Sequence, residues 1–328
     1  MSDIFDTMLL LALPASGKSE TRTYLTAKNP AEFHMGPTVQ LDDYPYVHMQ
    51  IVLDDVMADL GHPQPFHHPH NDEQRNGPFQ DPREFSGLIH LLNEDYAELR
   101  SGKAERPDNP AKRLLDRFDA ASEAAGVKAK FREMSADLRA QVEQAIDEGA
   151  RKLYDEKAAN VPASLDGKTI VIEFARGGPP GDTFPLPEGY GYNGALPHLS
   201  QDILQRSVIL YIWVTPEESR RKNRARARPG EDGSILFHGT PEVVMIQEYS
   251  RCDMAWLIET AKIPGTAHVE AHGRTFDIPV ERFDNRTDLT TFLRDDPSEW
   301  KQEDIDKIHG ALRETCDALW ATYSKLRS

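Results

Sequence analysis

Met8-Leu9-Leu10-Leu11-Ala12-Leu13-Pro14-Ala15-Ser16-Gly17-Lys18-Ser19-Glu20 decides how the chain is read. An apolar run breaks into small residues, presents Gly-Lys-Ser and then turns polar and helix-compatible through Glu20, Thr21, Arg22, Thr23, Tyr24 and Leu25. That order predicts a buried strand, a tight loop and a helix N-terminus, the context a phosphate-binding loop needs. A polyphosphate is held mainly by converging main-chain N–H groups. Small residues let the backbone come close, and the helix turns its positive end toward the anion. Ala15, Ser16, Gly17, Lys18, Ser19 and Glu20 are therefore the expected nucleotide-binding residues. Lys18 reaches the β- and γ-phosphates, and the Ser19 hydroxyl sits on Mg²⁺. Ala12 stands where the commonest form of the pattern has Gly, which suits a position that does not need positive φ. The alternative is a surface turn that happens to contain Gly-Lys-Ser.

The 328-residue chain is 39% apolar and 28% charged, enough for one large domain or two modest ones. Its formal net charge of -16 repels nucleic acid and anionic membranes, so neither is an expected partner. Any bound anion must be met by a local cationic cluster. The two cysteines, Cys252 and Cys316, make neither a disulfide framework nor a zinc site on their own. The stretch from Ile4 to Pro14 is too short for a membrane span or a signal peptide, and a cytoplasmic protein is expected.

Further along, Thr38–Leu41 reads as a second strand that stops at Asp42-Asp43-Tyr44-Pro45. Ligands of open α/β sheets bind at strand C-terminal ends. Asp42 or Asp43 there can orient Mg²⁺ or accept a proton from a substrate hydroxyl; the plainer reading is an Asp-rich turn and cap. A helix is predicted over 46–60. His62, His67, His68 and His70 then raise the question of a metal site, although Pro63, Pro65 and Pro69 argue for an irregular loop. Helical periodicity covers 84–100, and 111–159 predicts a helical hairpin broken near Gly126.

Strand character returns at Lys168–Phe174. Glu173 at its end is placed to hold a Mg²⁺-bound water, and Arg176 among glycines to meet a phosphate. A long loop over 178–197 and a helix over 197–206 precede a buried strand at Ser207–Val214. Thr215-Pro216-Glu217-Glu218 starts a helix with a capping box. That helix carries Arg220, Arg221, Lys222, Arg224, Arg226 and Arg228, a local reversal of sign in an acidic chain. Arg220, Arg224 and Arg228 recur every four residues on one face, and with the loop at 229–234 the helix suits a lid over phosphates. An exposed helix laced with salt bridges is the plainer reading. A helix over 241–263 and strands at His268–Ala271 and Thr275–Val280 follow, and then a helix from Asp288 and an amphipathic tail over 299–328.

The ordered set resembles the P-loop kinases, in the broad branch that acts on nucleosides, nucleotides and other small molecules. It rests on Ala12-x-x-x-x-Gly17-Lys18-Ser19, Asp42-Asp43 after the second strand and Glu173 after the third. The arginine-rich helix 220–228 and Phe283-Asp284-Asn285 complete it. The resemblance implies a three-layer α/β fold with a parallel five-stranded sheet in the order 2-3-1-4-5. It implies a core of residues 1–60 and 166–296 and a lid at 220–240. Residues 61–165 are then a large helical insertion that binds the phosphoryl acceptor, with Arg75, Arg83 and Lys103 as its candidate cations. Residues 297–328 are a helix packed on the core or a homodimer contact. The activity implied is ATP- and Mg²⁺-dependent transfer of the γ-phosphate to a hydroxyl or phosphate of a small molecule. Lys18 and Asp42 or Asp43 act at the centre, and Arg220 and Arg224 neutralise charge on the transferred group. Arg228 joins the nucleotide contacts. The alternative is a P-loop NTPase or nucleotide-binding regulator whose insertion binds a protein.

Overall fold

The computed structural model describes residues 4–70, 76–226 and 239–327. The strands are β1 Thr7–Leu11, β2 Thr38–Asp42, β3 His67–Pro69, β4 Asn76–Phe79, β5 Thr169–Phe174, β6 Ser207–Trp213, β7 Thr266–Ala271 and β8 Arg274–Asp284. The N-terminal helices are α1 Lys18–Thr26, α2 Pro30–Phe33 and α3 Tyr44–Asp59. Then come α4 Glu84–Ser101, α5 Pro110–Ala124 and α6 Ala136–Asn160. The C-terminal half adds α7 Gly191–Ala195, α8 Gln201–Arg206, α9 Pro216–Arg226, α10 Glu242–Glu248, α11 Met254–Thr260 and α12 Gln302–Arg327.

β1 is buried on both faces because every one of its side chains is covered, as the unbroken apolar run requires of a central parallel strand. One face presents Leu9, Leu11, Ile170, Ile172 and Ile209 to α4, α7, α8 and α11. The other presents Met8, Leu10, Val171, Val208 and Leu210 to α1, α2 and α12. The sheet runs β2-β5-β1-β6-β8-β7, and all its neighbours are parallel except the β7–β8 pair. The expected five strands are therefore six. His272 and Gly273, both in the left-handed region with φ of 52° and 70°, close a tight hairpin. That turn lays β7 antiparallel on the outer edge.

Segment 61–165 is not isolated from the sheet. Ile89, Leu92, Tyr96 and Leu99 of α4 pack on it, while Phe85, Leu88 and Leu91 of the same helix face α3, α5 and α6. The histidine-rich stretch, expected as an irregular loop, contributes the short antiparallel hairpin β3–β4. Its His67 is buried on Asp54, Nδ1 to Oδ2 at 2.6 Å. The helix expected over 241–263 is two short ones. Residues 249–251 leave the helical path to meet Gly177 and Gly178: Gly178 N–H donates to the Arg251 carbonyl at 3.0 Å, and Arg251 N–H returns the bond at 3.2 Å. A Cβ on Gly177 would lie 2.7 Å from the Arg251 carbonyl oxygen, so only glycine admits this approach. After Asp288, whose φ is 59°, the expected helix is a single 3₁₀ turn at Thr291–Arg294.

The apolar stripe of α12, Ile308, Leu312, Cys316 and Leu319, is fully buried against Phe5, Met8, Leu10 and Phe33 of its own chain. These four side chains belong to the core of their own chain. Leu312→Ala is expected to lower unfolding stability by about 2–5 kcal/mol through the cavity it leaves. Chemical denaturation at several protein concentrations checks this, with a midpoint that does not move with concentration.

Candidate functional site

Parallel pairing brings the strand ends to one edge. Leu10 of β1 lies opposite Glu173 of β5, and Glu173 lies opposite Asp42 of β2. The loop at 12–17 leaves β1 at that same edge, directly beside both acids. Within it Ala15 and Gly17 take left-handed φ of 55° and 94°, while Ala12 does not, which accounts for alanine at position 12.

Three neighbours hold the loop. Asn285, fully buried just past β8, donates from Nδ2 to the Ser16 carbonyl at 2.8 Å and to Thr290 Oγ1 at 2.8 Å. Its Oδ1 accepts the Leu289 N–H at 2.7 Å. Ser219 on α9 donates from Oγ to the Pro14 carbonyl at 2.7 Å. Tyr192, buried on α7, donates from its hydroxyl to the Ala12 carbonyl at 2.9 Å. Ser16 Oγ closes the loop on the Leu13 carbonyl at 2.7 Å. Carbonyls are thereby bound outward by side chains, which suits a loop whose N–H groups are to face a ligand.

At the edge, Arg22 Nε contacts Glu173 Oε1 at 2.5 Å, and Gln40 Nε2 reaches Glu173 at 3.3 Å and Asp42 at 3.5 Å. Asp42 accepts the Tyr44 N–H at 2.8 Å. Burial, then the charges of Glu173 and Asp43, push the Asp42 carboxyl up from 3.8 to about 7, against the pull of Tyr44 N–H and Lys18. Burial raises Glu173 as well, opposed by Arg22 and Lys18. Burial depresses Lys18, and the charges of Glu173, Asp42 and Asp43 counter it. Asp43 is not in the same situation: Arg176 Nη1 donates to its Oδ2 at 2.8 Å. Arg176 is almost fully buried, donates from Nη2 to the Phe85 carbonyl at 2.9 Å and lies between the rings of Phe85 and Phe174. It holds Asp43 and α4 rather than facing an open phosphate site. The structure thus separates two adjacent aspartates that sequence position could not rank.

The helix with the cationic run begins as predicted, with Glu218 N–H on Thr215 Oγ1 at 3.2 Å. Arg220 pairs with Glu217 at 3.2 Å and Arg224 with Glu242 at 3.0 Å, so both have acidic partners close by. Buried Lys222 meets Asp288 at 2.8 Å. Asn223 and Thr240 exchange two hydrogen bonds, 2.7 and 2.9 Å, across the base of this region. Burial depresses the Arg226 guanidinium, against the charge of Glu20 and, more weakly, those of Tyr44 and Asp42. Sequence periodicity singled out 220, 224 and 228 and passed over it. Arg228, the loop at 229–234 and Arg75 lie outside the described residues. Of the other insertion cations, Arg83 is paired with Asp81 at 2.7 Å and Lys103 is exposed just past α4.

Glu20 makes a close ion pair with Arg294, and Ser19 stands at the first turn of α1 beside Lys18. Among the described residues no three His, Cys, Asp or Glu side chains converge into a metal cage, the histidine stretch included. Mg²⁺ keeps several waters and takes phosphate oxygens with one or two protein ligands, so a hydroxyl and one carboxylate fit its needs better than a cage. Among the described residues no helix is long and apolar enough to cross a membrane.

No protein-family model matches the chain, and no curated protein matches it significantly.

Two outcomes are expected. Asn285→Ala leaves the Ser16 carbonyl without its buried donor and should cost about 1–3 kcal/mol of stability, with loss of protection in the loop readable by hydrogen exchange. A carboxyl whose folded pKa exceeds its unfolded one favours the fold below the unfolded value, and that contribution is lost as pH rises through the folded value. Asp42→Asn should therefore stabilise the metal-free protein, by roughly 1–3 kcal/mol at pH 8 and by little at pH 4. Thermal melts across that pH range check the sign.

Proposed function

We propose that the protein is an ATP-dependent phosphotransferase of the P-loop kinase type. The observation that carries this reading is the meeting at one sheet edge of the loop 12–19 with Asp42 and Glu173. Taken in chain order, the five parallel strands run 2-3-1-4-5, which supports a P-loop kinase core. The left-handed Ala15 and Gly17, with carbonyls of the loop bound from outside, suit a backbone cradle for phosphates.

In this reading the loop N–H groups and Lys18 bind the β- and γ-phosphates. Ser19 and the raised carboxyl of Glu173 are the residues that would hold Mg²⁺, which supplies charge neutralisation between the phosphates when bound. Asp42 is the base. It is close enough to neutral pH to take a proton, whereas Asp43 is committed to Arg176. The acceptor oxygen forms a bond to the γ-phosphorus and its proton passes to Asp42. The bond from that phosphorus to the β,γ-bridging oxygen breaks, and ADP leaves with the electron pair. Arg226 faces the transferred group, and Arg220, Arg224 and Arg228 of the lid add positive potential. Beyond the proton taken by Asp42, positioning and electrostatics supply the catalysis.

Lys18→Ala is expected to weaken Mg-ATP binding at least tenfold and to reduce ADP release from Mg-ATP with acceptor by about a hundredfold or more. Isothermal titration calorimetry and a coupled ADP assay measure the two. Unchanged affinity and turnover would refute the proposal. ADP release that needs no small molecule would instead indicate an NTPase.

A further inference from the structure

Glu173 is almost wholly buried near the C-terminal end of β5, so the groups that touch it set its orientation. We propose that Arg22 is a positioning residue for Glu173: it holds one carboxylate oxygen so that the other is presented to Mg²⁺ at the phosphate loop. The inference rests on the phosphotransferase reading and adds to it the residue that aims the metal-binding acid.

Three observations carry it. First, the side chains that donate to Glu173 converge on one oxygen. Arg22 Nε lies 2.5 Å from Oε1, and Gln40 Nε2 lies 3.3 Å from the same atom. Among the described residues no side chain donates to Oε2. A carboxylate pinned through one oxygen has its other fixed in direction, as metal-ligating carboxylates with outer hydrogen-bond partners do. Second, Arg22 stands on the helix that opens the phosphate site. It follows Lys18 by four residues on α1, so the two side chains share a face. Ser19, the other residue assigned to the metal, belongs to the first turn of the same helix. The ion pair spans 151 positions of sequence and so fixes the acid of β5 relative to that hydroxyl. Third, the opposite side of the carboxylate is also tied. The amide nitrogen of Gln40 reaches Asp42 Oδ2 at 3.5 Å as well as Glu173, and the Gln40 carbonyl accepts Asn160 Nδ2 at 2.6 Å. Glu173 therefore has a charged tie to the phosphate helix and a neutral tie toward the base. Arg22 reaches it from the rim, with 22% of its side chain exposed against 2% for the acid.

An ion pair that serves the fold alone predicts lost stability with the metal response intact, and the test separates the two. Full-length protein is titrated calorimetrically with a non-hydrolysable ATP analogue in EDTA and again in Mg²⁺, and the ratio of the two affinities is the metal increment. Arg22→Ala is expected to reduce that increment about tenfold or more while the affinity in EDTA stays within about twofold. Arg22→Lys, which keeps the charge but not the planar fork, should lose about threefold, and it decides the matter where the alanine variant does not fold. Paramagnetic resonance of Mn²⁺ in place of Mg²⁺, on protein with the analogue bound, should show the same order of metal affinities without any turnover. An increment equal to wild type in the folded variants leaves Arg22 a structural ion pair and overturns the inference. A larger increment in Arg22→Ala makes Arg22 a competitor of the metal, and an equal loss in EDTA and in Mg²⁺ makes it a phosphate contact; either result overturns it too. Wild-type protein that binds no analogue in Mg²⁺ sinks the phosphotransferase reading and this inference together. Binding with an increment indifferent to Arg22 sinks only this one.

Discussion

Parallel register across β2, β5 and β1 is the constraint on which the candidate site depends. With Asp42 opposite Glu173 and Glu173 opposite Leu10, two carboxylates come level with the residue two before the loop. A slip of one residue in either strand would turn an acid into the apolar layer above or below the sheet. The buried alternation of Leu9 and Leu11 on one face and Met8 and Leu10 on the other opposes that slip. The same packing that stabilises the sheet therefore sets the chemistry at its edge.

Placing acids there has a cost. Desolvation raises Asp42 and Glu173, and the burial of Lys18 works against its charge. Each is tolerated because opposite charges stand near: Arg22 on Glu173, Arg176 on Asp43 and Arg226 beyond Asp42. The division is uneven, and the unevenness is informative. Asp43 has its own buried guanidinium, whereas Asp42 has a backbone N–H and a side-chain amide. Two neighbouring residues of one type thus stand in different polar surroundings.

The helices of 61–165 hold the acidic edge from behind. Arg117, fully buried, donates to Tyr46 Oη at 2.9 Å, to Asp95 at 2.8 Å and to Glu94 at 2.6 Å. Lys157 meets Asp95 at 2.6 Å. The network joins α3, α4, α5 and α6. Removing one member of such a set leaves a buried charge uncompensated, a cost of roughly 3–5 kcal/mol, so the arrangement resists partial loosening. Because α3 starts at the aspartates and α4 starts beside Arg176, a rigid bundle here fixes Asp42, Asp43 and Tyr44 relative to the phosphate loop. Glu248 adds a tie between α10 and the β3–β4 hairpin, accepting the Phe79 N–H at 2.7 Å.

Local order in the chain determined the central strand, the loop after it and the helix that opens at Lys18, because an apolar run, small residues and a polar helical start are each read within a few positions. It also determined that acids end β2 and β5, and that Thr215 caps α9. Only the tertiary structure decided which aspartate pairs with a buried guanidinium, since Arg176 lies 133 residues from Asp43 and their bond has no local signature. The same holds for the ion pairs of Arg220 with Glu217 and Arg224 with Glu242: periodicity assigns a helix face, but the partner of Arg224 comes from another helix. Asn285, Ser219 and Tyr192 reach the loop from three distant elements, and the glycines at 177 and 178 break a helix in a segment they do not belong to. Periodicity reports what a residue's neighbours in sequence require. Charge pairing and close backbone approach are settled by neighbours in space, and those come only with the sheet order.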